Sequence, residues 1–433
     1  MIPITGRYCV TGREDHKLMQ KKDMTPETGA FEHLKAMVMA GAVWRWTELS
    51  PNMLERLDQE LCSLERSGAI DYMLMCAELV AAIKEAGGCV GTGRGTAVGS
   101  AVCFALGMTN VDPLGYGLFF ERLCNPQRRA KVSVCIDCDT IGERAAREVL
   151  CGKYGGVEDV DCRKGPDWPC FFDLPGGWTI CLTGTPEVDR LAKAIAAVKG
   201  RGPTLRDLTL LPDDDPETLA LFRRGETDDI PFFGSQEMRR KLAAMPELRF
   251  SDLIALRALT CPGLVDSQGA FLRARIKGGR YAHPLLRNCL SETCGVMLYQ
   301  EQLMGTVRLL GRLTGGEADR VRKAFGHRAL SVYEQMQKDF VEGCVSNPDF
   351  RVGACRAESQ ARKYATRFWK SFYDKGCWLV MKAHYLAEAR LAYLLAYLKV
   401  HYSARPASTK RMAQEQREDV FEEILQHSAQ EGI

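Results

Sequence analysis

The chain has 433 residues, enough for two or three domains, with 46% hydrophobic and 26% charged residues and a formal net charge of +3. That composition supports a sizeable core and excludes wholesale disorder. Its longer apolar stretches, Ser100–Met108 and Tyr72–Ile83, are short or broken by Glu78, and the first twenty residues carry Arg7, Arg13, Asp15, His16 and Lys17, so neither a membrane span nor a secretory signal is expected.

Residues 1–50 read as an N-terminal extension with one helix near Gly29–Val43. From Asn52 to Glu85 the pattern is helical, with Leu54, Leu57, Leu61 and Leu64 on one face and a second helix over Ile70–Ala86 that Gly87-Gly88 ends. Cys89-Val90 reads as a short strand entering a glycine-rich turn, and Ala97–Leu106 as a buried helix. Lys131–Asp139 alternates as a strand with Ser133, Cys135, Asp137 and Asp139 on one face. A helix over Ile141–Cys151, a loop over 155–170, and strands at Phe171–Asp173 and Thr179–Leu182 follow. After Pro186 the chain is almost all helix, broken at Pro203, Pro212, Pro262 and the glycines 311, 315 and 316. A boundary near residue 185 thus separates a mixed half from a helical half.

Eighteen cysteines, scattered singly, suit thiols in a reducing cytoplasm better than a disulfide framework. Basic residues cluster in three blocks: Arg122, Arg128, Arg129 and Lys131; Arg308, Arg312, Arg320, Arg322, Lys323 and Arg328; and Arg351, Arg356, Arg362, Lys363, Arg367 and Lys370. One such block is ordinarily a solvated helix face, but three in a near-neutral chain point to a polyanion or triphosphate partner.

The run Gly91-Thr92-Gly93-Arg94-Gly95-Thr96-Ala97-Val98-Gly99-Ser100 lies between a strand and a helix. Glycines admit an anion close to backbone amides, and Arg94 and Thr96 add donors, although a purely structural turn is the competing reading. The run is neither a Walker loop nor a dinucleotide fingerprint. Asp137 and Asp139 project from one strand face and Asp173 ends another strand, an arrangement suited to divalent metals and phosphoryl transfer; surface aspartates at strand ends are the alternative. The CxxC of Cys135 and Cys138 has zinc spacing, but its cysteines point to opposite faces of a strand.

In order along the chain, several segments resemble the alpha subunit of bacterial DNA polymerase III, the C-family replicative polymerase. Val90–Thr96 with Gly99-Ser100 resembles its phosphate-binding loop, Asp112-Pro113-Leu114 and Phe120-Glu121-Arg122 with Asn125-Pro126-Gln127-Arg128 its lead-in to the catalytic aspartates, and Phe172-Asp173-Leu174-Pro175-Gly176 its third-aspartate strand. The likeness continues through Leu253–Leu256, Tyr299–Met304, Gly316–Asp319 with Arg322-Lys323-Ala324, and Lys382-Ala383-His384 to Tyr402, so it covers roughly residues 55–402. The resemblance implies an α+β fold: a palm of the polymerase-β nucleotidyltransferase type over 51–185, helical fingers over 186–402, and a helical tail over 403–433. It implies template-directed addition of deoxynucleotides to a primer by two Mg²⁺ ions held by Asp137, Asp139 and Asp173. Arg94, Gly95, Thr96 and Arg122 would hold the triphosphate, with Arg322, Lys323, Lys382 and His384 lining the fingers. The implied partners are primer–template DNA, deoxynucleoside triphosphates and separate replication subunits.

The chain also departs from the pattern. Counting without gaps from Arg122 puts Ser133 and Cys135 where the family has its metal-binding aspartates; a shift that keeps the same strand face restores the pair as Asp137 and Asp139. Phe171 stands where a triphosphate-binding lysine is expected, and the stretch between the two aspartate strands leaves little room for a thumb. Counterparts of the family's phosphoesterase-like, clamp-binding and oligonucleotide-binding modules are not found in these residues. Two rival expectations therefore stand beside the polymerase: a non-catalytic DNA-binding or replication accessory protein that keeps palm and fingers, and a nucleotidyltransferase that needs no template.

Overall fold

The computed structural model describes residues 29–127, 130–158, 170–198, 200, 202–326, 330–354 and 357–402. The first 28 residues, the tail 403–433, and Arg128, Arg129, Arg328 and Arg356 lie outside the described residues.

Helix α1 (Ala30–Trp46) is followed by α2 (Pro51–Arg66), which starts where the Ser50 hydroxyl accepts the Met53 amide and Pro51 occupies the first turn. Leu57, Leu61 and Leu64 are buried as the periodicity requires, but Leu54, in the first turn, is 37% exposed. Helix α3 (Ile70–Glu85) ends as expected at Gly87 (φ +78°), where the Gly88 amide returns to the Ile83 carbonyl.

The single helix expected over 97–106 is instead two pieces: a 3₁₀ segment (Gly95–Gly99) and a short α4 (Ala101–Ala105). Ser100 is extended between them and caps α4, its hydroxyl accepting the Cys103 amide at 3.1 Å. Buried Glu60 of α2 completes the break. Its carboxylate accepts the Ser100 hydroxyl at 2.7 Å and the amides of Ala101 and Val102 at 3.0 and 3.1 Å, and takes Arg56 Nε at 2.6 Å.

Strand β1 (Cys135–Cys138), helix α5 (Thr140–Tyr154) and strands β2 (Val157–Glu158), β3 (Cys170–Leu174) and β4 (Trp178–Gly184) form a four-stranded mixed sheet in the order β1-β4-β3-β2. β1 and β4 are parallel and the other pairs antiparallel. β1 is shorter than the alternation over Lys131–Asp139 suggests, because the Val134 amide donates to the Tyr72 hydroxyl at 2.8 Å rather than to a strand. Val90 bridges Cys138 on the free side of β1, which docks the glycine loop against the sheet. α1 to α5 and the sheet share one core.

The rest is helical: α6 (Pro186–Ala197), α7 (Leu205–Thr209), α8 (Pro216–Arg224), α9 (Gln236–Ala243), α10 (Phe250–Ala258), α11 (Val265–Lys277), α12 (Arg287–Leu290), α13 (Gln300–Gly311), α14 (Gly315–Gly326), α15 (Leu330–Ser346), α16 (Pro348–Ala354), α17 (Glu358–Gly376) and α18 (Lys382–Tyr402). α6 to α11 pack around α18 in a second core, and α12 to α17 enclose a third. Among the described residues no helix is long and apolar enough to cross a membrane.

Glu60→Ala is expected to destabilise the protein by about 3–5 kcal/mol, since it removes a buried carboxylate that partners half-buried Arg56 and three donors at the start of α4. Urea midpoints read the loss; Glu60→Gln, which keeps the shape and some acceptors, should recover part of it.

Candidate functional site

The glycine loop is pinned from three sides. The Gly91 amide donates to the Asp137 carbonyl at 2.7 Å, and the Asp139 amide to the Cys89 carbonyl at 3.0 Å. Buried Asn110 donates its side-chain amide to the carbonyls of Val90 and Gly91, both at 2.8 Å, and accepts Arg45 Nη1 at 2.8 Å. The Thr92 hydroxyl donates to the Ala387 carbonyl of α18 at 2.8 Å. Gly93 (φ +109°) and Gly95 (φ +62°) take left-handed conformations that only glycine adopts without strain. Arg94, Gly95 and Thr96 are half-buried at the rim of this turn. The start of α4 is not open to an anion, as a phosphate site on a helix N-terminus would require, because Glu60 and Ser100 already take its amides.

Strand register decides how the carboxylates relate. Asp137 of β1 lies beside Thr183 of β4, and Cys135 beside Cys181. On the other side of β4, Phe171 lies beside Cys181 and Asp173 beside Thr179. The Thr179 hydroxyl also reaches the Ser133 hydroxyl at 3.3 Å. The same face of the sheet therefore carries three rows: Ser133–Thr179–Asp173, then Cys135–Cys181–Phe171, then Asp137–Thr183. Asp137 and Asp173 share the face but are four residues apart along β4, roughly 13 Å, and two strand spacings apart across the sheet, roughly 10 Å.

Asp139 does different work. It caps α5, its carboxylate accepting the Gly142 amide at 2.8 Å, and is buried. Asp173 is exposed. Among the described residues no group of three His, Cys, Asp or Glu is placed to hold a metal ion. Cys135 faces the loop: a Cβ on Gly95 would lie 4.0 Å from its own, whereas a Cβ on Gly91 would lie 2.8 Å from the Asp137 carboxylate. Contrary to the expectation of unpaired thiols, Cys135 and Cys181 form a disulfide across neighbouring strands, Cα–Cα 4.4 Å. Their separation of 46 residues hides that adjacency in the sequence.

Around Asp137 the structure gathers a mixed-charge cluster from the loop, β1, α6 and α18. Burial pushes the Asp137 carboxyl up to about 7; Arg94 and the Thr185 hydroxyl, 3.2 Å away, oppose that, and Glu187 and Glu388 reinforce it. Burial also raises Glu388, against Arg257, whose Nε lies 2.8 Å from it, and against Arg94. Burial, with Arg94 and Arg257, lowers His384 to about 4, so near neutral pH it sits uncharged 3.4 Å from Glu388.

The other sequence candidates are held by neighbours. Buried Arg122 donates to the Gln300 side chain and lies 3.7 Å from Glu301. Buried Lys382 donates to the Tyr116 carbonyl at 2.9 Å and pairs with Glu292 at 2.7 Å. Arg322 pairs with Asp319 at 2.6 Å, whereas Lys323 is exposed. His384 near the head of α18, Arg94 and Asp137 thus meet at the junction of sheet and helices, whereas Lys382 turns to Tyr116 and Glu292, and Arg322 and Lys323 belong to α14.

The positioning groups that sequence reasoning missed are Glu301, which accepts the Lys382 amide at 2.8 Å at the start of α18, with Asn110, Glu60, Arg257 and Glu388. Each is a polar residue that a one-dimensional pattern assigns to solvent. Glu301 and Glu388 lie inside runs that the sequence singles out, Tyr299–Met304 and Lys382–Tyr402, and Glu60 inside the helical stretch from Asn52, but nothing local marks them as buried.

Two family models match the chain: the bacterial DNA polymerase III alpha NTPase domain over residues 32–160, and the bacterial DNA polymerase III alpha subunit finger domain over residues 187–348. Curated proteins named DNA polymerase III subunit alpha are similar to it. That of Halalkalibacterium halodurans is 26% identical over 95% of this chain and 46% of its own length; that of Aquifex aeolicus is 24% identical over 89% and 44%. That of Staphylococcus aureus strain Mu50 is 24% identical over 93% and 46%. The chain thus spans less than half the length of these relatives. The first two alignments run over 521 and 524 residues, more than the whole chain, so the relatives carry extra residues inside the matched span.

His384→Gln tests the cluster's pH dependence. A histidine that is neutral when buried and protonates more readily in the unfolded chain favours unfolding as pH falls from about 6.5 towards 4. Relative to the unmodified protein, His384→Gln should gain roughly 1–2 kcal/mol in stability between pH 7 and pH 5. Denaturant midpoints at the two pH values measure that difference.

Proposed function

Because the chain belongs to the family of the bacterial DNA polymerase III alpha subunit, we propose that it is a polymerase-like protein that binds primer–template DNA, and a deoxynucleoside triphosphate at the glycine loop, without carrying out nucleotidyl transfer itself. Membership in a polymerase family implies dependence on divalent metal, and a pair of ions would neutralise the triphosphate and activate a primer hydroxyl. The donor set here does not fit such a pair. The observation that carries the reading is the row Ser133–Thr179–Asp173: Asp173 has a serine and a threonine for neighbours, and the nearest carboxylate on that face, Asp137, is two rows away. Ions in a two-metal site sit about 3.5–4 Å apart, which these carboxylates cannot bracket.

What the remaining residues offer is binding. The rigid glycine turn presents Arg94 and Thr96 at its rim. The exposed cations of the helical half supply a surface for phosphates. Separate replication subunits are the protein partners that this reading implies. The second reading is templated addition of deoxynucleotides with Asp137, Asp139 and Asp173 as metal ligands, and one observation favours it: Asp137 and Asp173 project from the same face of the sheet.

Primer extension beside a binding assay separates the two. With Mg²⁺ or Mn²⁺ the unmodified protein should bind labelled primer–template at low salt, with affinity falling steeply as salt rises, and should extend no primer. Metal-dependent extension that disappears in Asp173→Asn, with DNA binding intact, would overturn the non-catalytic reading in favour of the second.

A further inference from the structure

We propose that the exposed face of helix α17, ending at Trp378, is a track for single-stranded nucleic acid; the inference rests on the DNA-binding reading above and names where the strand lies. α17 buries Ala361, Ala365, Phe368, Trp369, Phe372 and Gly376 against the third core. Its opposite face exposes Lys363, Arg367, Lys370 and Lys375, with Asp374 as the acidic member. The first three recur at intervals of four and three residues, which on an α-helix makes a single stripe. Among the described residues none of these four cations has an ion pair or hydrogen bond from its side chain, unlike the neighbouring Arg362, which is held by Glu342 and Glu358. A row of unpaired cations on one helix face is complementary to a phosphate chain and has no use in holding the fold. From Lys363 to the end of α17 the stripe runs about 20 Å, enough for several nucleotides.

The residue past the end of the stripe selects the kind of nucleic acid. Trp378 is 54% exposed, and its ring is laid over Gly263, where a Cβ would come within 2.8 Å of the indole. A large aromatic held by one edge with the rest of its surface open is a platform on which an unpaired base stacks, and stacked bases in a duplex cannot use it. Trp378 also adjoins the sheet–helix junction. The carbonyl of Leu379, the next residue, accepts the Gln300 side-chain amide at 2.8 Å, and Gln300 in turn accepts from Arg122. A strand following the stripe is thereby led towards the start of α18, which lies just beyond Leu379 in the chain. An acidic protein segment would satisfy the cations equally but would gain nothing from the indole, so single-stranded nucleic acid is the better fit.

The test compares the unmodified chain with Trp378→Ala, Trp378→Phe and the triple variant Lys363→Ala/Arg367→Ala/Lys370→Ala. Each is titrated with an oligothymidylate, with an abasic oligonucleotide of the same length, and with a duplex. Trp378→Ala should weaken oligothymidylate binding roughly tenfold while leaving the abasic strand unaffected, and Trp378→Phe should restore most of the loss. The triple variant should weaken both single strands and flatten the log–log salt dependence by about two units, because its three missing cations no longer displace counterions from phosphates. Unchanged affinities in all variants, with the unmodified protein still binding DNA, overturn this track and leave the DNA-binding reading standing. Equal losses on the abasic strand and oligothymidylate in Trp378→Ala, or effects confined to the duplex, overturn it as well. Failure of the unmodified protein to bind any of the three overturns both.

Discussion

The junction between the sheet and the second core leans on helix α18, a helix buried on nearly all sides whose first turn and flanks are tied by polar contacts rather than left to apolar packing alone. Its first amide is taken by the buried carboxylate of Glu301, and its small residues Ala383, Ala387, Ala392 and Ala396 let neighbours approach closely. Thr92 of the glycine loop donates to the carbonyl of Ala387, the Asp215 amide donates to the Tyr393 hydroxyl at 2.9 Å, and Arg390 donates to the Leu208 carbonyl at 3.1 Å. A buried helix of this kind brings charges into a low-dielectric interior, where each must be met or neutralised. That requirement explains why Lys382 and Arg390 end in carbonyls and a carboxylate.

The same electrostatics shape the site. Arg94, the cation best placed on the glycine turn, looks onto Asp137 and Glu388 from within a crowd that also includes Arg257, Glu187 and His384. The charges are close to balanced, so an arriving polyphosphate must compete with carboxylates for Arg94. Burial eases that competition by holding Asp137 and Glu388 towards their neutral forms. The loop's backbone geometry is thus fixed by Asn110 and Thr92, while burial and the pull of Arg94 act in opposite directions on the carboxylates beside it, with burial the stronger.

Much of this is legible from the residues alone. The glycine run announces a tight turn between strand and helix; leucine periodicity places the buried side of α2; and strand alternation puts Ser133, Cys135 and Asp137 on one face, although Asp139 leaves the strand to cap α5. What alternation cannot supply is the offset between strands. Asp137 and Asp173 look equivalent until the β4 register sets them two rows apart, and that register arises from long-range pairing. Buried charges are equally hidden: Glu60, Glu301 and Arg45 read as surface residues because nothing local distinguishes a charge whose partner lies far along the chain. The basic blocks are visible as composition, yet only the fold sorts Arg322 and Arg362, which are tied to carboxylates, from Lys363, Arg367 and Lys370, which have no such partner among the described residues.

The anchoring of β1 decides which rearrangements of the sheet are open to it. Bringing Asp137 into the row of Asp173 needs a slip of four residues, and although an even slip preserves the faces, it would break the Tyr72–Val134 bond, the Asp139 cap of α5 and the Cys89–Asp139 link together. Sliding is therefore closed, and the spacing between Asp137 and Asp173 is held by bonds made outside the sheet. The alignment of a four-residue strand thus answers to a tyrosine of α3 and to the turn that opens α5, so a change at Tyr72 or Asp139 would be felt as a displacement of carboxylates rather than as a loss of packing.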